Sequence, residues 1–168
     1  IKVQSSGKVH VAYQDTTNMD LKYAQRGTDG DWDTETVDST GDVGQFSSLD
    51  LDSSGNAHIA YLDYTNYALK YAKMKISVTV GRYGTASIVS DGIFTLPDSV
   101  ISVSSSWTWE IETVDTTGWS GWYSCLRVDG DDNVHIVHQD ISSSAQNLRY
   151  AKKTSGSSSS STSTIDST

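Results

Sequence analysis

Residues 10–24, HVAYQDTTNMDLKYA, overlay residues 58–72, HIAYLDYTNYALKYA, with ten of fifteen positions identical. A third copy, HIVHQDISSSAQNLRYA, occupies residues 135–151 and is two residues longer in its middle. A second block recurs in the same order: WDTETVDSTG at 32–41 overlays WEIETVDTTG at 109–118 at seven of ten positions. Self-similarity in a fixed order is the mark of a repeat architecture, in which each unit buries its apolar face only against its neighbours. The first two copies of the leading His are 48 residues apart and the second and third 77 apart, which places an insertion of about 29 residues in the middle copy.

Within that middle copy, strands are predicted over 46–52, 57–63, 68–73 and 109–114. The first three are joined by DSSGN at 52–56 and DYTNY at 63–67, short turns of the residue types that link antiparallel neighbours. Each copy is therefore a four-stranded meander. A unit of about 48 residues with a Trp in its last strand reads as one blade of a β-propeller. A stacked β-solenoid is the alternative, with coils that are usually shorter. The expected fold is all-β, with blades at about 1–45, 46–122 and 123–153 forming a repeat region over 1–153, and a long β-hairpin insertion at about 74–106.

Three blades fall short of the four to eight that close a propeller. The remainder is expected from a longer chain or from identical chains, and the opening on Ile1 within a strand reads as a processed or excerpted segment. The third copy lacks its Trp strand. The tail at 154–168, TSGSSSSSTSTIDST, has the composition of a flexible or O-glycosylated linker, with pairing of residues 161–167 at a sheet edge as the other reading.

Composition agrees with an all-β chain. Ser and Thr fill 46 of 168 positions, beside nine Tyr, five Trp and a single Pro. The net charge of -9 repels phosphate backbones and anionic lipid, so nucleic acid is excluded as an expected partner. No apolar run approaches the roughly 18 residues of a membrane helix, and no membrane insertion is expected. The single Cys125 makes no internal disulfide and leaves the compartment open; set against its counterpart Ser48, it is predicted to be a small buried residue.

The pattern DxxGNxHIAYxDxTNxxLKYA, followed by WxxETVDxTG, resembles the tandem repeats of predicted β-propellers on secreted and surface proteins of bacteria and archaea. It is also distantly similar to the Asp-box repeats of sialidase-like propellers. The resemblance covers most of the chain outside the insertion and tail. It implies an extracellular or cell-surface scaffold, and a scaffold of this kind hosts many unrelated activities.

A sialidase-like glycosidase needs an arginine cluster, a nucleophilic Tyr paired with Glu, and an acidic residue as general acid. The chain has four Arg, no cluster among them, and three Glu, of which Glu35 and Glu112 are copies of one another. No catalytic residue is assigned and no cofactor is expected. His10, His58 and His135 fall at one position per copy, where a hydrogen bond that stabilises the repeat outweighs a metal site. Asp15, Asp63, Asp140, Asp38 and Asp115 close strands and are expected to accept turn amides. Asp129, Asp131 and Asp132, with Asn133, form the one acidic cluster dense enough in oxygen to consider for Ca²⁺, although the EF-hand spacing is missing.

Ligand binding is assigned to Trp119, Trp122 and Tyr123. The two Trp stand where the earlier copy has Asp42 and Gln45, and flat aromatic faces stack on sugar rings or fill protein pockets. Packing on the neighbouring blade is the competing reading. The insertion alternates apolar and small polar residues, and Tyr83, Ile93, Phe94 and Leu96 are assigned to assembly as an apolar tip that would otherwise lie exposed. Self-association, missing blades, a glycan or a surface protein are the expected partners. The reading is a non-enzymatic extracellular repeat protein acting by self-assembly or recognition at the cell surface, with a filament or sheath subunit and a carbohydrate-binding module as its alternatives.

Overall fold

A computed structural model describes the backbone of residues 1–83, 87–88, 94–95, 100–142 and 146–166, and the side chains of these outside 77–105. The strands are β1 (Lys2–Val3), β2 (Val9–Asp15), β3 (Asp20–Arg26), β4 (Trp32–Asp38), β5 (Val43–Leu51), β6 (Ala57–Asp63), β7 (Ala68–Tyr83), β8 (Ser87–Ile88), β9 (Phe94–Thr95), β10 (Val100–Asp115), β11 (Trp122–Val128), β12 (Val134–Asp140), β13 (Asn147–Lys153) and β14 (Ser161–Asp166). They form three four-stranded sheets, β1-β2-β3-β4, β5-β6-β7-β10 and β11-β12-β13-β14, and a two-stranded sheet, β8-β9. Each four-stranded sheet is a blade-like meander.

The repeat in sequence is a repeat in register. Tyr23 faces Glu35 across β3 and β4, and Tyr150 faces Ser163 at the same position across β13 and β14. The Ser-rich tail therefore supplies the fourth strand of the third sheet within its own chain. Every residue of β14 is exposed, so backbone pairing rather than apolar alternation holds it. The insertion lengthens β7 and β10 to 16 residues each.

The chain divides into two compact units, one of residues 1–74 and 109–168 and one of residues 75–108. The second unit contains the distal parts of β7 and β10 and the β8-β9 pair, in which Ser87 faces Thr95 and Ile88 faces Phe94. Of the residues assigned to assembly, Tyr83 and Phe94 lie in strands whose side chains are not described, and Ile93 and Leu96 lie outside the described residues.

Burial follows from the stacking of sheets in the first unit. All seven residues of β6 are buried, because both faces of the middle sheet are covered. In β12 burial alternates, as one covered face requires. Ala60, Leu69 and Tyr71 of the middle sheet meet Leu126, Val134, Ile136 and Ala151 of the third in a single apolar core.

Cys125 corrects the sequence reading, because it is exposed. Its counterpart Ser48 is covered by the third sheet and accepts a hydrogen bond from the Leu126 amide at 2.9 Å. Cys125 occupies the same register on the third sheet's own outer side, where nothing among the described residues covers it.

The passage between sheets repeats too. Gly44 and Gly121 have φ of 94° and 95°, and each presses on the third strand of the preceding sheet. A Cβ on Gly44 would stand 2.8 Å from the Leu21 Cα, and one on Gly121 2.9 Å from the Ala68 carbonyl oxygen. A bulge follows each glycine, between Gln45 and Ser48 and between Trp122 and Cys125, with Phe46 and Tyr123 held at φ near 50°.

Candidate functional site

Two seams join the three sheets, and the same positions build both. In the first, the Asp42 carboxylate accepts hydrogen bonds from Gln14 (2.7 Å) and Gln45 (3.1 Å). In the second, these three positions hold Trp119, Leu62 and Trp122. A polar clasp has become an aromatic cluster. Trp119 stacks on Tyr67 with centroids 4.8 Å apart and planes 14° from parallel. Trp122 packs on Phe46 at 5.3 Å and edge-on to Tyr64 at 6.1 Å, and Tyr123 lies 4.6 Å from Phe46.

The three residues singled out in the sequence are thus brought together, in two roles. Trp119 is 43% exposed and Tyr123 63% exposed, so both offer a ring face outward. Trp122 is half-buried against the neighbouring sheet, with its Nε1 buried and lacking an acceptor among the described residues. Tyr64, Tyr67 and Phe46 complete the cluster and were missed in the sequence. The signal existed: the turn DYTNY carries Tyr64 and Tyr67 where DTTNM carries Thr16 and Met19.

This division predicts different outcomes for two substitutions. Trp119→Ala is expected to change the free energy of unfolding by no more than about 1 kcal/mol, since the ring is largely outside the core. Trp122→Ala is expected to cost about 2–3 kcal/mol, because it opens a hole in the seam. Urea titrations of the two variants compare them directly.

Each sheet also carries a His hydrogen-bonded to a Tyr one strand away. The Nδ1 to hydroxyl distances are 2.5 Å for His10 and Tyr23, 2.5 Å for His58 and Tyr71, and 2.6 Å for His135 and Tyr150. In the second and third sheets the far nitrogen meets a turn carboxylate, Asp52 at 3.3 Å from His58 and Asp129 at 2.9 Å from His135. In the first sheet Gln4 stands at that position, and the His10 Nε2 is buried without a partner among the described residues.

Burial holds His58 below its ordinary pKa of 6.5, and the attraction of Asp52 only partly offsets it. Burial and the nearby Lys8 lower His10 likewise. The folded state thus takes up fewer protons than the unfolded chain below about pH 6.5, and stability falls as pH falls through that range. Burial pushes the Asp38 and Asp52 carboxyls up, but their hydrogen bonds outweigh it and hold both below the usual range, so a second loss follows below about pH 4. Melting temperatures across pH 8 to pH 5 are expected to decline, and the decline is expected to be shallower in His58→Gln.

A cation latch also crosses each seam. Lys70 of the second sheet reaches the Asp38 carboxylate of the first, which also accepts a hydrogen bond from the Tyr61 hydroxyl at 2.8 Å. Arg149 of the third sheet donates from Nε to the Asp115 carboxylate of the second at 2.7 Å. Lys22 is the counterpart of Lys70 in the first sheet, and Asp166 the counterpart of Asp38 in the third. Neither is in an ion pair among the described residues.

The acidic cluster does not gather around one point. Asp129 accepts hydrogen bonds from the Asn133 amide and side chain, whereas Asp132, at φ 60°, accepts from the Ser53 amide and hydroxyl at 2.7 Å each. Asp131 instead donates its amide to Asp129. Among the described residues, no three His, Cys, Asp or Glu side chains are placed to share a metal ion.

No family model, curated protein or solved structure matches this chain.

Proposed function

We propose that the chain is a non-enzymatic β-propeller repeat protein of the cell surface, which acts by joining its end sheets to further blades and by recognition along its seams. The observation that carries this reading is the unpaired half of the seam at each end. Trp109 lies against the preceding sheet, with its ring edge-on to Tyr23 at 5.2 Å. Its counterpart Trp32 is 50% exposed. Trp32 and Lys22 on the first sheet therefore present one side of a seam, and Tyr150 and Asp166 on the third present the other. The exposure of Cys125 on the same outer side supports the reading. So does the use of both repeated Glu in packing: Glu35 accepts from the Trp109 indole and Glu112 from Lys153. The secreted-surface location rests on the resemblance of the repeat.

Light scattering across a concentration series tests the assembly. The expected result is a mass that rises above one chain with concentration, and a weakened rise in Trp32→Ser, which removes the exposed ring but touches neither internal seam. A wild-type chain that stays a monomer at every concentration sinks the self-assembly reading.

Carbohydrate recognition is the second reading, favoured by the outward faces of Trp119 and Tyr123 and by the unmatched Trp122 indole N–H. Sugar rings stack on aromatic faces of this kind. A glycan array probed with the wild type and with Trp119→Ala is the test: a shared absence of bound glycans removes this reading and leaves assembly standing.

A further inference from the structure

The second seam contains a cavity that the first does not need. In the first seam the Trp109 ring lies edge-on to Tyr23 and its Nε1 donates to Glu35 at 2.8 Å. The corresponding groups in the second seam are Tyr71 and Glu112. Ser160, one residue before Ser161, holds the register position of Trp32 and Trp109 in the third sheet. Its hydroxyl donates to Glu112 at 2.9 Å, so the polar half of the Trp109 contact is kept and the indole is not.

Where that ring would lie, a cavity of about 350 Å³ opens, lined by Tyr71, Lys73, Glu110, Ile111, Glu112 and Lys153 among others. This volume is at the small end of the ligand-site range of about 300–1,000 Å³. Lys153 reaches over the Tyr71 ring, 5.9 Å from its centroid, and pairs with Glu112 at 2.8 Å. Its counterpart in the first seam is the buried, uncharged Met74 of the second sheet.

We propose that this cavity binds an indole ring. The N–H donates to the Glu112 carboxylate, the ring packs edge-on to Tyr71 as Trp109 does on Tyr23, and the Lys153 ammonium closes over the π face. The molecule itself supplies the template, since an indole already fills the equivalent position one seam away. Two sources carry this chemistry: a free indole-type heterocycle, and the side chain of a tryptophan in a partner polypeptide.

Fluorine NMR separates them, using 5-fluoroindole and N-acetyl-5-fluorotryptophanamide as probes of the full chain. Saturable binding of both identifies a tryptophan side chain as the fitting ligand. Saturable binding of 5-fluoroindole alone identifies a small heterocycle. Saturation of neither overturns the proposal. Glu112→Gln is expected to weaken the affinity about tenfold, the effect of losing a charged acceptor. Ser160→Trp fills the cavity from within, and is expected to abolish probe binding and raise the melting temperature by about 2–4 °C. Ser160→Ala, which leaves the cavity open and frees an acceptor position on Glu112, is expected to bind the probe at least as well as wild type. A Ser160→Trp chain that folds and still binds, or a Ser160→Ala chain that does not bind, defeats the assignment.

Discussion

Asp38→Ala is expected to cost about 3–5 kcal/mol, a large share of the roughly 5–15 kcal/mol by which a domain is stable. The carboxylate is buried in the first seam, and the Lys70 amine that it neutralises is nearly as enclosed. Without Asp38 the closest remaining carboxylate to Lys70 is Asp63, 3.9 Å away, and the Tyr61 hydroxyl loses its acceptor. An uncompensated buried charge is far worse than no charge, so the double variant Asp38→Ala, Lys70→Met is expected to regain much of the loss. Urea unfolding of the wild type, the single variant and the double variant measures this. A single variant within about 1 kcal/mol of wild type would show that Lys70 reaches solvent, and that the latch contributes little.

Gly121→Ala is expected to have an effect of similar size through the backbone. A non-glycine residue at positive φ costs about 1–3 kcal/mol, and here the added methyl also meets the Ala68 carbonyl oxygen at 2.9 Å. That oxygen belongs to a strand held in the middle sheet and cannot turn aside as a flexible side chain does. The strain is relieved only by parting the second seam, so a total of about 3 kcal/mol or more is expected, with weakened packing of Trp122 on Phe46. Gly130→Ala is the control: a Cβ there meets nothing within 4 Å, and its midpoint should match wild type closely. Equal destabilisation by the two alanines would contradict the close-approach argument.

The meander was legible because strand and turn chemistry repeat three times, and β6 spans the residues read from sequence, 57–63. β7 and β10 run far beyond the readings of 68–73 and 109–114, since the insertion continues the ladder where no repeat marks it. β14 was legible only as one of two readings of the low-complexity tail, edge pairing of 161–167 against a flexible linker, because an edge strand exposed along its whole length needs no apolar alternation. Cys125 was misread because comparison with Ser48 assumes equal surroundings, and an outer sheet has one uncovered face. Trp119 and Trp122 stood out as departures from the repeat. Their partners Tyr64 and Tyr67 lie more than fifty residues away, in a contact set by how sheets stack rather than by local spacing. The cavity beside Ser160 needed the register of β14 before the missing ring could be seen.

The seam is not symmetric about its own midline. In the first seam one side contributes a Trp and a cation and the other a Tyr and a carboxylate, and the second keeps the cation, the Tyr and the carboxylate, so an added copy fits only in the same sense as the one before it. An assembly through the end sheets, as proposed above, would therefore have a polarity. Its two ends are chemically different, growth at one end need not match growth at the other, and a molecule that presents only one half of the seam stops elongation at one end alone. Whether such a chain of copies closes into a ring or continues as an open helix is decided by the rotation across a single seam.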